Sequence, residues 1–169
     1  MTYYKFFRVT HKWLGIIFAI AFLNIAVTGF LLLEKKNLTW IQPETKQGGG
    51  NNTAPFITNP RLFQAVFAQN HNDFQTLDDI DRVDFRPHKR IFKVRSKKNH
   101  AEMQVDATTG DILSVAKRRS DLIESLHDGS FFGGLVYRLM MPMVAAAMLY
   151  LTLTGLYLWL APIIKRRTK

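Results

Sequence analysis

Residues 13–33 read WLGIIFAIAFLNIAVTGFLLL, 21 positions without a charge, and Asn24 is their only strongly polar side chain. Residues 139–164 read LMMPMVAAAMLYLTLTGLYLWLAPII, 26 positions again without a charge. At about 1.5 Å of rise per residue, each run reaches or exceeds the roughly 30 Å of a bilayer's hydrocarbon core. Neither suits the interior of a soluble domain, and together they predict two transmembrane helices. Lys5, Arg8 and Lys12 before the first run also suit a signal peptide. Its apolar stretch, however, exceeds the usual length of about 7–15 residues, and Leu33-Glu34-Lys35-Lys36 lacks the small residues of a cleavage site. An uncleaved anchor is expected.

A formal net charge of +10 usually invites a nucleic-acid reading, but its distribution argues otherwise. All 13 acidic residues lie between Glu34 and Asp128, where 15 basic residues nearly balance them. The excess sits in the tails, at Lys5, Arg8 and Lys12 and at Lys165, Arg166, Arg167 and Lys169. The positive-inside rule then places both termini in the cytoplasm and translocates the segment between the helices. This makes basicity a topology signal and nucleic acid an unexpected partner. The chain has no cysteine, which removes disulfides, thiolate metal sites and cysteine nucleophiles.

The expected organisation is a cytoplasmic tail (1–12), a first transmembrane helix (13–33), a tether (34–56), an extracytoplasmic domain (57–118), a connector (119–134), a second transmembrane helix (135–164) and a cytoplasmic tail (165–169). Residues 43–55, PETKQGGGNNTAP, read as a flexible tether. Asn59-Pro60 starts an amphipathic helix carrying Leu62, Phe63, Val66 and Phe67 and reaching about Asn70. Three runs then alternate with a period of two, placing Val83 and Phe85, Phe92 and Val94, and Met103 and Val105 on one face. The opposite face carries Arg82, Asp84, Lys93, Arg95, Glu102, Gln104 and Asp106, with signs suited to cross-strand ion pairs. Residues 86–98 hold seven basic side chains among 13, read as a solvated hairpin face, with a docking surface for an acidic partner or lipid headgroups as the alternative. After Thr108-Thr109-Gly110-Asp111, a turn signal, residues 112–116 make a fourth strand. The fold class is therefore membrane α+β: two transmembrane helices flanking a small domain in which a helix packs on an antiparallel sheet.

The middle segment resembles the PepSY domain, a helix followed by strands that end in Val-Asp, a Thr-Gly turn and a last strand. Here those residues are Val105-Asp106-Ala107-Thr108-Thr109-Gly110-Asp111-Ile112-Leu113. The flanks resemble the PepSY-associated transmembrane family through His11-Lys12-Trp13-Leu14-Gly15, Thr28-Gly29, Leu126-His127-Asp128-Gly129, Phe132-Gly133 and Thr154-Gly155-Leu156. Longer members look like ferric-siderophore reductases of the bacterial inner membrane, with histidines near the helix ends binding b-type haem. The resemblance implies the same membrane, an extracytoplasmic (periplasmic) central domain and a link to iron uptake. With two membrane helices, this chain departs from those longer members.

His11 and His127 flank the two spans at opposite membrane faces, roughly a bilayer's thickness apart, and cannot share one haem. Imidazole is a good axial haem ligand, and a two-fold dimer would pair each histidine with its copy, giving a four-helix bundle with two haems. A headgroup contact for His11 beside Lys12 stays open as the ordinary alternative. Arg138, where the second span begins, suits snorkelling to lipid phosphates or pairing with a haem propionate. His71, His88 and His100 lie in loops or at strand ends without metal-site spacing, and Met140, Met141, Met143 and Met148 suit packing. Asn24, Thr28, Thr152 and Thr154 can hydrogen-bond between helices, and Gly29 and Gly155 permit close approach.

Two functional readings follow. The first is a haem b electron-transfer protein tied to ferric-siderophore reduction, a metalloreductase-like oxidoreductase working as a homodimer or beside another membrane protein. No nucleotide-binding glycine motif is present, so its electrons would come from quinol or a protein. The second is a non-enzymatic PepSY interaction or inhibitory module, or an accessory subunit of a larger membrane complex. No Ser/His/Asp set or phosphate loop supports hydrolase or transferase chemistry.

Overall fold

The computed structural model describes residues 3–50 and 54–167. Residues 51–53 of the expected tether, the first two residues of the N-terminal tail, and Thr168 and Lys169 of the C-terminal tail lie outside the described residues. The chain forms two compact units, one from its two ends (Met1–Leu32 with Ile123–Lys169) and one from its middle (Leu33–Leu122).

The end unit holds α1 (Tyr3–Leu33) and α4 (Met141–Arg167), each long and apolar enough to cross a membrane. Large side chains stay uncovered on both, Ile20 at 83% and Leu149 at 68% exposure, which suits lipid rather than water as the surrounding solvent. α1 begins ten residues before the charge-free run because Tyr3 to Lys12 contains no helix breaker. Between α3 (Arg119–His127) and α4 the chain bends at two glycines in left-handed or related conformations, Gly129 at φ +77° and Gly133 at φ +104°. They frame a single 3₁₀ turn over Ser130–Phe132. A π-helical turn over Val136–Met140 then leads into α4.

The middle unit contains α2 (Asn59–Phe67) and a four-stranded antiparallel meander, β1 (Ile80–Arg86), β2 (Ile91–Ser96), β3 (Ala101–Asp106) and β4 (Ile112–Lys117), in the order β1-β2-β3-β4. Leu62 and Val66 of α2 pack with Phe74 against Phe92, Val94, Met103 and Val105, a core legible from the two periodicities. Asp106 shapes the turn after β3. One carboxylate oxygen accepts N–H bonds from Thr108 (2.7 Å) and Thr109 (3.1 Å), while the other accepts from Gly49. Burial raises the pKa of this carboxyl, but those three donors and Arg90 outweigh it and leave the value lowered.

The charged face of the sheet is buried, which corrects the expectation of a solvated hairpin face. Lys93, Arg95 and Glu102 are 3%, 8% and 1% exposed. Residues 41–50, polar enough to suggest a loose tether, lie along this face and hydrogen-bond to it. Gln104 accepts from Lys46 N (2.8 Å) and donates to Glu44 O (2.9 Å), Lys93 donates to Thr45 (2.8 Å), and Arg90 donates to Gly49 O (3.0 Å). Ile41 is fully buried, and Gly48 runs so close that a Cβ there would overlap the carbonyl of Arg90.

The buried charges are compensated locally. Glu102 collects Lys93 (3.2 Å), Arg118 (3.2 Å) and, at 4.0 Å, Arg95, whose guanidinium also reaches Asp84 (2.8 Å). Register sets Arg95 opposite Glu102 and Lys93 opposite Asp84, so the tighter ion pairs run diagonally. Glu102→Ala strands Lys93 and leaves Arg95 and Arg118 with one carboxylate each; it is expected to cost about 3–5 kcal/mol, read as faster hydrogen exchange of β2 and β3 amides in the detergent-solubilised chain.

At the strand end, Asp79 is clamped by Lys98 and by the amides of Gln75 (3.0 Å) and Thr76 (3.1 Å). The ammonium of Lys98, helped by those amides, lowers its pKa from 3.8 to about 2. A depressed carboxyl stabilises the fold fully above its ordinary value, and that contribution fades as pH falls through the folded one. Acid titration should therefore destabilise the wild type more than Asp79→Asn between about pH 4 and 2.

Candidate functional site

α1 and α4 run antiparallel, and each supplies a seat for a histidine from the other side of the pair. Near the start of α1, His11 Nδ1 lies 2.8 Å from Thr154 Oγ1 of α4. Near its end, Thr28 Oγ1 lies 2.9 Å from Nδ1 of His127, the last residue of α3. Both threonines are buried, at 6% and 5% exposure. The next residue along the helix is glycine in both seats. A Cβ on Gly29 would stand 3.3 Å from Cε1 of His127, and one on Gly155 would stand 3.4 Å from Cε1 of His11. The two Thr-Gly pairs are thus small, polar sockets that let an imidazole lie against the helix backbone.

Hydrogen-bond accounting assigns the ring nitrogens. Thr154 spends its single proton on Tyr150 O (2.8 Å), and Thr28 spends its own on Asn24 O. Each hydroxyl is left as an acceptor, so each Nδ1 is the donor. In the neutral ring this fixes the Nδ1–H tautomer and directs the free lone pair to Nε2, as a hydrogen-bond partner on the far nitrogen does for a metal-binding histidine.

Neighbouring bonds brace both ends. Tyr150 and Thr10 hydroxyls meet at 2.6 Å beside His11, and Asn24 Nδ2 donates to Leu126 O (2.8 Å) beside His127. The left-handed Gly129 follows directly, with Asp128 accepting from Ser130 N (2.8 Å), and this tight turn holds His127 at the mouth of the pair. Between the seats lies an apolar cavity of about 360 Å³, its wall including Ile17, Ala21, Asn24, Met141 and Val144.

The two seats are separate sites. His11 and Thr28 stand 17 positions apart on one helix, about 26 Å at helical rise. Arg138 sits exposed within the π turn and forms no ion pair among the described residues. Elsewhere His71 accepts from Asp73 N (3.2 Å) and packs on Phe74, a local structural contact. No group of three or more metal-ligating side chains forms among the described residues. The threonines and glycines carry sequence signals as interhelical polar and small residues. Their pairing with particular histidines depends on the antiparallel offset and is not visible in the chain order.

Two apolar, lipid-suited helices joined through polar seats, with an α+β domain between them in sequence, define a two-span membrane protein. Over residues 8–169 the sequence matches the family described as PepSY-associated TM region. The chain belongs to that family. No curated protein and no solved structure matches it.

If the threonine hydroxyls hold the helix pair together, Thr154→Val should weaken it by about 0.5–2 kcal/mol, the range for interhelical bonds in membranes. Unfolding of the detergent-solubilised chain measures this, and Thr154→Ser should keep most of the wild-type value.

Proposed function

We propose that the protein binds b-type haem and passes single electrons across a membrane. The observation that supports this is the paired seat: at each end of the helix pair an imidazole has Nδ1 taken up by a buried threonine and Nε2 left with its lone pair. Such rings fit one axial position each. A single copy offers one ligand at each end, so a bis-histidine site calls for a homodimer or another membrane protein carrying the second ring. His11 and His127 would hold the irons, and the exposed guanidinium of Arg138 is placed in the chain to pair with a propionate. Haem, when bound, supplies one-electron cycling between its ferric and ferrous states.

The chain's own residues would then orient and protect. The threonines fix ring tautomer and angle, the glycines allow the close seat, and the apolar wall between the ends excludes water. With both basic tails cytoplasmic, as the positive-inside rule orders them, the α+β domain lies outside the bacterial inner membrane. Electrons would run outward from quinol or a protein donor to a ferric siderophore or similar iron chelate. This direction accords with the resemblance to siderophore reductases.

Detergent-purified protein from haem-replete cells should show an α band in its dithionite-reduced minus oxidised spectrum. His11→Ala and His127→Ala should each remove one component and leave the other. A colourless wild type, or unchanged haem content in both variants, would overturn the proposal. That result would leave the histidine–threonine bonds as interhelical ties in a non-enzymatic PepSY module.

A further inference from the structure

The middle unit carries a second feature that electron transfer does not use, a cavity of about 410 Å³ walled by cations. Its inner wall is Lys93, Arg95 and Arg118, whose charges are met by Glu102, Asp84 and Asp121. Its outer wall is Lys35, Lys36, Arg86 and Lys89, and none of these four forms an ion pair among the described residues. Among the described residues no acidic side chain lines the space. Four uncompensated positive charges therefore surround one concavity, where field focusing concentrates anions.

Behind this wall two buried polar groups have no partner among the described residues. Arg95 is 8% exposed, and its Nε has no hydrogen bond, the nearest carboxylate oxygen of Glu102 standing 4.0 Å away. Gln42, which also lines the cavity, has a buried Oε1 with no donor. Both atoms are closed off from the space, so the excess positive charge of the wall, and not these atoms, is what an anion would meet. Lys93 reports the same excess. Burial first, and then the guanidiniums of Arg118 and Arg86, hold its pKa below the ordinary range although Glu102 opposes them.

We propose that this cavity binds a phosphate ester, the phosphate taken by Arg86 and Lys89 with Lys35 and Lys36 beside them. Arginine forks suit the phosphate oxygens. No aromatic ring lines the cavity, so nothing there stacks on a nucleobase. The same chemistry exists in the headgroup of an anionic glycerolipid and in a free polyol phosphate. Lys35 and Lys36 stand only two and three positions beyond Leu33, where α1 ends, within about 10 Å of chain reach from a membrane-suited helix. A lipid source is thereby within reach.

The test uses the full chain in neutral detergent and two probes, glycerol 3-phosphate and short-chain phosphatidylglycerol, with binding measured by calorimetry. Saturable binding is expected for at least one probe, weakening as salt is raised. The Arg86→Gln/Lys89→Gln double variant, changed only at exposed positions, should bind about tenfold more weakly. The charge-matched Arg61→Gln/Lys97→Gln variant, altered away from the cavity, should bind as wild type. Binding of the lipid alone names the membrane as the source, and binding of both names a soluble ester. If neither probe saturates at millimolar concentration, or if both double variants lose affinity equally, the assignment fails.

Discussion

Two greasy helices gain nothing from each other by the hydrophobic effect when lipid surrounds both, because acyl chains are as apolar as leucine. Something else has to join them. In the helical unit that role falls to polar groups which hydrocarbon would leave unsatisfied, namely His11 with Thr154 and Thr28 with His127. Each bond also sets the direction of an imidazole, so the interaction that pairs the helices is the one that prepares two rings for ligation. The apolar cavity, the braced turn at Gly129 and the tyrosine–threonine contact at Thr10 all lie around these two fixed points.

The sheet domain solves the opposite problem. It is small, and one of its faces is charged rather than apolar. Burying that face works only because Glu102 is shared among three cations and because a largely polar segment, anchored at Ile41, covers the sheet with backbone and amide hydrogen bonds. Removing any one member leaves a charge in low dielectric, so the face is held together more by mutual need than by the worth of each pair. The adjoining cavity is where this balance is broken in favour of positive charge.

Much of the architecture could be read from residue order. Charge-free runs marked both helices, the period-two alternation marked β1 to β3, and Asp106 with the Thr-Thr-Gly turn marked the reversal from β3 into β4. These are local signals, and local geometry decides them. Non-local partnerships escaped. The polarity of residues 43–55 suggests freedom, yet Gln104, Arg90 and Asp106, some 40 to 60 positions away, tie its Glu44–Gly50 portion down. Lys93, Arg95 and Glu102 look like solvent-facing residues for the same reason, since their cover is a distant segment. At the candidate site both histidines stood out by position, and Thr28 and Thr154 by polarity within lipid. That each histidine belongs to the threonine of the opposing helix follows from an offset no single helix encodes.

The π turn at Val136–Met140 has a consequence for how the second span is numbered. A five-residue hydrogen-bonded ring holds one residue more than the α-helical frame, so positions before it are out of phase with those after it by about 100°. Arg138 and the residues from Met141 onward therefore cannot be projected on one helical wheel. Deleting a single residue from this turn would restore an unbroken α-helix and rotate its first turn by about 100° relative to the rest of the span. The extra residue acts as a phase shifter, so the facing of the span depends on one position of chain length as well as on its side chains.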